Sequence, residues 1–128
     1  MITIYCDGAS KGNPGPASIG VSIKSGDTEI FSISKSIGIK TNNEAEWKSL
    51  IAGLEKVIEL GEKKISVFMD SELVVRQVSG IYKTKKPHLK KMKDIVDNLI
   101  IKFDSFQIQH ILREKNFRAD ELANLALK

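Results

Sequence analysis

Four acidic side chains stand where the sequence changes from one kind of element to another. Asp7 ends an alternating run, Glu46 opens a long amphipathic stretch, Asp70 closes a short apolar run, and Asp120 lies early in the last amphipathic stretch. Carboxylates brought together repel, and crowding unpaired charges is costly unless cations join them. An all-oxygen set of this kind suits Mg²⁺ or Mn²⁺. Two such ions about 3.5–4 Å apart form a clamp that stabilises the attacking and leaving oxygens of phosphodiester hydrolysis. The sole cysteine, Cys6, has no disulfide partner and cannot build a thiolate site alone, so any metal ligands are oxygen or histidine.

The elements that must position these acids follow from hydrophobic periodicity. Residues 2–7 alternate Ile2, Ile4 and Cys6 against Thr3, Tyr5 and Asp7, the period of a strand. After the turn-rich stretch Gly8 to Pro16, strand patterns cover Ser18 to Lys24 and Glu29 to Lys35, joined through Ser25-Gly26-Asp27 as a hairpin. Trp47, Leu50, Ile51, Leu54, Val57 and Ile58 then repeat at helical spacing up to Gly61. Ile65 to Met69 reads as a central strand buried on both faces. Ser71 caps a short helix carrying Val74, Val75 and Val78, and a second helix starts at Pro87. Phe106 to Leu112 alternates as a fifth strand, and a last helix runs from about Arg118. The order βββαβααβα implies a mixed five-stranded sheet of α/β type in one domain over residues 1–128, with helices on both faces.

In such a sheet the first and fourth strands are neighbours, and ligands bind beyond the carboxyl ends of parallel strands, so Asp7 and Asp70 are placed to converge. Glu46 precedes Leu50 and Leu54 by four and eight residues, and Asp120 precedes Ala123 and Leu127 by three and seven, so both are biased toward the sheet. Each acid also has a local role open to it. Asn43-x-x-Glu46 and Thr41-x-x-Glu44 both fit a capping box, Asp7 precedes a turn glycine, Asp70-Ser71 fits a helix cap, and Asp120 complements a helix dipole.

The chain of 128 residues is 41% hydrophobic and 28% charged, in the range of a soluble globular domain. No apolar run reaches membrane-spanning length, and Met1-Ile2-Thr3 enters a strand pattern without a leader, so a cytoplasmic address is expected. The net charge of +4 is concentrated between Ile81 and Lys102, where seven lysines face only Asp94 and Asp97. A basic patch on a balanced body fits a polyanion partner, and equally a solvated helix face.

The segments YCDGASKGNPGP, TNNEAEW, FMDSELVV and NFRADELANLA, each holding one of the four acids, resemble the type 1 ribonucleases H in order and over essentially the whole chain. The resemblance implies strand order 3-2-1-4-5 and endonucleolytic cleavage of the RNA strand of RNA/DNA hybrids, leaving 5′-phosphate and 3′-hydroxyl ends. It makes Asp7, Glu46, Asp70 and Asp120 the ligands of two Mg²⁺ or Mn²⁺ ions, with Asp7 bridging them. It places Gly8, Ser10, Asn13, Asn42, Asn43, Ser71 and Asn116 against the hybrid, partly through the 2′-hydroxyls, and Thr41 at a phosphate of the DNA strand.

Two features depart from the better-known members. The loop before the last helix, Leu112-Arg113-Glu114-Lys115-Asn116, holds no histidine, and Arg113 is the candidate substitute; this Arg-Glu-Lys-Asn form resembles a compact archaeal and bacterial branch. A tryptophan-rich basic protrusion is missing, since Tyr82 to His88 leads directly into the next helix, and weaker, more salt-sensitive hybrid binding is expected. His110, His88, Cys6 and Trp47 are read as structural. Double-stranded RNA is left open as a further substrate, and a monomer is the default. The competing readings are a catalytically silent nucleic-acid-binding module on the same fold and a phospho-acceptor domain, the latter opposed by the antiparallel opening.

Overall fold

The computed structural model describes residues 1–127 and orders the chain as β1 (Ile2–Ser10), β2 (Gly15–Ser25), β3 (Thr28–Lys40), α1 (Asn42–Glu59), β4 (Lys64–Met69), α2 (Glu72–Val78), α3 (Pro87–Ile100), β5 (Ser105–His110), a 3-10 turn (Arg113–Lys115) and α4 (Phe117–Ala126). The sheet runs β3-β2-β1-β4-β5, antiparallel for the first three strands and parallel for β1-β4 and β4-β5. The expected element order and strand order are those observed. No helix among the described residues is long and apolar enough to cross a membrane.

The alternation of β1 sends Ile2, Ile4 and Cys6 to one side, where they join Val21 and Ile23 of β2 and Ile65, Val67 and Met69 of β4 in the core. Trp47, Leu50, Leu54 and Val57 of α1 close that core, with Leu89 and Val96 of α3 beyond them. The other side of β2 is covered by α4, whose Ala123 carbonyl accepts a hydrogen bond from the Ser18 hydroxyl. Gly20 permits this close approach, because a Cβ there would stand 2.1 Å from the Ala119 carbonyl oxygen. Helices thus pack on both faces, and β2, between them, is buried on both.

Several elements extend beyond the sequence reading. β1 continues through Gly8 to Ser10, and β2 starts at Gly15, because these turn-type residues still pair with partners: Ser10 with Ala17, and Gly15 with Lys40. β3 is correspondingly long, reaching Lys40. The hairpin between β2 and β3 has only Gly26 and Asp27 at its tip, with Gly26 at φ +61°, where glycine is favoured.

Candidate active site

Sheet register brings the first two acids together. Cys6 pairs with Met69 across the parallel β1-β4 ladder, so Asp7 and Asp70, the next residues, stand side by side at the end of that ladder. Glu46 arrives from the opposite wall on the first turns of α1. The capping box that starts α1 is Thr41 with Glu44: the Thr41 hydroxyl accepts from the Glu44 amide, and the Glu44 carboxylate accepts from the Thr41 amide. Glu46 is therefore not consumed as a cap. It accepts instead from the Gly8 amide, a contact open only because Gly8 lacks a side chain; a Cβ there would lie 2.3 Å from the Ala45 carbonyl carbon. At β4, Ser71 rather than Asp70 caps α2, which leaves the Asp70 carboxylate free as well.

Carboxylate oxygens of Asp7, Glu46 and Asp70 all lie within 4.8 Å of one another. Asp120, in the first turn of α4, comes against Asp7 from the side, and all four acids line one open cleft of about 600 Å³. Burial, then the charge of Asp70, lifts the Asp7 carboxyl from 3.8 to about 7. Burial and the charge of Asp7 push Glu46 well above the usual carboxylate range. Asp70 is also raised by burial, though the Asn116 amide and the Arg113 guanidinium oppose the shift. In the bare protein near neutral pH the cluster therefore retains protons that a cation would displace.

The only basic side chain in ion-pair contact with these acids, among the described residues, is Arg113, whose Nη2 stands 3.6 Å from Asp120; it is 81% exposed. Three mutually close carboxylates with no protein cation between them fit hard divalent cations, and their all-oxygen donor set suits Mg²⁺ or Mn²⁺.

The remaining expected site residues divide into two groups. Gly8, Ser10, Asn42, Asn43, Ser71 and Arg113 line the cleft with the acids. Asn13 accepts from the Asn42 amide at 3.0 Å, and Thr41 caps α1, so both shape the rim without lining it. Asn116, expected among the substrate contacts, is 1% exposed and lies beneath the cleft, where its Nδ2 donates to the Cys6 carbonyl at 2.9 Å. That bond ties the start of α4, and with it Asp120, to the strand carrying Asp7. His110 stands on β5 with Nδ1 3.9 Å from Glu72. Two polar lining residues escaped the sequence reading: Lys11, whose Nζ donates to the Leu127 carbonyl at 3.0 Å, and Asn124. Asn124 follows Asp120 by one helical turn, a spacing that placed it on the same face.

Comparison with known proteins agrees with this fold. A family model described as reverse transcriptase-like matches residues 5–126. The chain is 44% identical over 96% of its length to a protein of Halobacterium salinarum named ribonuclease HI. Its structure resembles the N-terminal RNase H domain of a Mycobacterium tuberculosis protein, with TM-score 0.96, 40% identity and coverage of 99% of this chain and 98% of that one. It also resembles LC11-RNase H1 in complex with an RNA/DNA hybrid, with TM-score 0.94, 42% identity and coverage of 98% and 96%. The chain spans 62% of the Halobacterium relative's length and 35% of the mycobacterial bifunctional protein's.

Proposed function

This chain belongs to the ribonuclease H family, and from that premise we propose that it is an endoribonuclease hydrolysing the RNA strand of RNA/DNA hybrids. The observation that carries the reading is the convergence of Asp7, Glu46 and Asp70 within 4.8 Å, with Asp120 beside Asp7. These four carboxylates would hold two Mg²⁺ or Mn²⁺ ions, supplying Lewis acidity for in-line displacement at phosphorus that leaves 5′-phosphate and 3′-hydroxyl ends. Asp7, whose carboxyl meets Asp70, Glu46 and Asp120, would be the residue that helps to hold both ions.

The other residues bind and orient the substrate. Gly8, Ser10, Asn42, Asn43 and Ser71 present backbone and side-chain polar groups along the cleft, where 2′-hydroxyls distinguish RNA from DNA. Asn13, bonded to the Asn42 amide from the β1-β2 connection, and Thr41, the cap of α1, hold the rim that meets the DNA strand. Arg113 brings a permanent positive charge to the Asp120 side of the cluster, where it neutralises charge on the reacting phosphate. Asn116 acts through Asp120 and Asp70 as a positioning residue. The lysines before and in the first turn of α3, including Lys83, Lys85 and Lys90, extend the phosphate-binding surface.

The test is cleavage of labelled RNA/DNA hybrid, double-stranded RNA and double-stranded DNA with Mg²⁺, Mn²⁺ or chelator, beside Asp70→Asn. The expected result is metal-dependent cutting of the hybrid's RNA strand, abolished in the variant; the double-stranded RNA arm sets the substrate range. Folded protein that binds hybrid without cutting it would instead establish a silent binding module.

A further inference from the structure

Two residues back from Asp7 and Asp70, on the same side of the same strands, stand Tyr5 and Phe68. They are partners in the parallel ladder, and their rings stack at 5.2 Å between centroids with 24° between planes. The adjacent row across β1, β4 and β5 holds Thr3, Ser66 and Gln107, all short or amide polar side chains. Tyr5 opens into a second cavity of about 390 Å³, bounded by the β2-β3 hairpin and the start of α4. Phe117, the first residue of α4, lines this cavity and is 72% exposed. With Tyr5 in the same cavity, Phe117 makes this an aromatic surface open to solvent.

The charges around these rings are unequally engaged. Glu29 accepts from Arg118 Nε at 2.9 Å and Nη2 at 3.1 Å, and from the Ser22 hydroxyl at 2.6 Å, so its carboxylate is satisfied internally. Lys24, with Nζ 6.0 Å from the Tyr5 centroid, and Lys115, in the same cavity, have no carboxylate within ion-pair distance among the described residues. Among the residues lining the cavity, Lys24, Lys115 and Arg118 outnumber Asp27 and Glu29 by one positive charge, and Glu121 pairs with Arg118 from outside it.

Accessible aromatic faces flanked by free ammonium groups are the chemistry that holds single-stranded nucleic acid, because every base offers a π face and every nucleotide a phosphate. A duplex has its bases already stacked and cannot use the rings, which separates this surface from the hybrid cleft. We propose that the Tyr5–Phe68–Phe117 face is a second binding site, for single-stranded RNA or DNA, in which bases stack on the rings while Lys24 and Lys115 meet phosphates. It goes beyond hybrid cleavage and stands on its own observations. Lying two residues behind the carboxylates on the same strands, it is placed to retain a single strand near the cleft.

The experiment measures binding of labelled oligothymidylate and oligouridylate to the full chain by fluorescence anisotropy in chelator, where nothing is cut. Phe117→Ala and the double variant Lys24→Ser/Lys115→Ser alter only partly or fully exposed side chains, and circular dichroism checks their fold. Each is expected to weaken single-strand binding by about tenfold. The lysine variant should also make the slope of log affinity against log salt shallower by about 1.4, or about 0.7 for each phosphate contact. Hybrid cleavage with metal should stay within about twofold of the parent, since neither change touches the carboxylate cleft. Photocrosslinks from 5-iodouridine in the bound strand should map to peptides containing Tyr5 or Phe117. The proposal is overturned if the folded parent binds neither oligonucleotide. It is equally overturned if the variants leave binding unchanged, if crosslinks fall only on cleft peptides, or if hybrid cleavage falls in step with single-strand binding.

Discussion

Replacing Asp7 by asparagine is expected to stabilise the metal-free protein even as it destroys the cluster's capacity for metal. Asp7 is 6% exposed, and burial together with the charges of Asp70 and Asp120 lifts its carboxyl from 3.8 to about 7. At about 1.36 kcal/mol per pH unit, that lift corresponds to about 4 kcal/mol. The folded state holds this proton more tightly than the unfolded chain does. The associated stability is therefore fully present below pH 3.8 and is lost as pH rises through about 7. An asparagine has no charge to desolvate, and imperfect hydrogen bonding of its amide costs about 1–2 kcal/mol. The variant should then exceed the parent by about 2–3 kcal/mol at about pH 8 in chelator, with the gap closing as pH falls and the order reversing by about 1–2 kcal/mol toward about pH 4. Urea unfolding midpoints at the two pH values read this directly. Adding Mg²⁺ should raise the parent by mass action and the variant less, narrowing or inverting the order. A parent at least as stable as the variant at about pH 8 in chelator, or a gap independent of pH, would refute the account of the cluster as electrostatically strained.

Three further outcomes follow from the same geometry. Asn116→Ala removes the amide bonded to the Cys6 carbonyl at 2.9 Å; thermal unfolding should show a loss of about 1–3 kcal/mol, and kcat should fall more than KM rises because Asp120 is loosened. Glu44→Ala breaks the capping box and should cost about 1 kcal/mol with cleavage unchanged, whereas Glu46→Gln, two residues on, should abolish cleavage without loss of stability. Replacing Lys83, Lys85 and Lys90 by alanine should make the salt dependence of hybrid binding shallower by about 0.9 in log–log slope for each phosphate no longer neutralised, and an unchanged slope would remove these lysines from the interface.

Where hydrophobic periodicity was strong, the elements could be read from the chain. Trp47, Leu50, Leu54 and Val57 of the α1 stripe and the alternating Ile2, Ile4 and Cys6 lie in the core as their spacing requires, and Ile51 packs against it. The misread ends each have a local physical origin. The first turn of α1, Asn42 to Glu46, carries no apolar signal because it faces the cleft rather than the core, so the helix starts well before its stripe. Gly8 to Ser10 and Gly15-Pro16 have turn composition yet lie in strands, since pairing with β2 and β3 outweighs local preference. Arg113 to Lys115 form a single 3-10 turn, too short to show a period.

The site was legible as four acids but not as a division of labour among their neighbours. Thr41-x-x-Glu44 and Asn43-x-x-Glu46 are equivalent as capping patterns, and only the observed helix start, at Asn42, selects the first. That choice has a functional consequence, because a helix starting two residues later would bind Glu46 to its own cap. A similar choice at β4 gives the cap of α2 to Ser71 and leaves Asp70 free. Asn116 shows the converse: a polar residue in a motif reads as a ligand contact, whereas its burial beneath the cleft makes it a strut between β1 and α4. The carboxylates thus stay free of capping duty because Thr41 and Ser71 take the helix caps and Asn116 takes the tie between α4 and β1. This fold stores repulsion at Asp7 by assigning its structural duties to neutral neighbours.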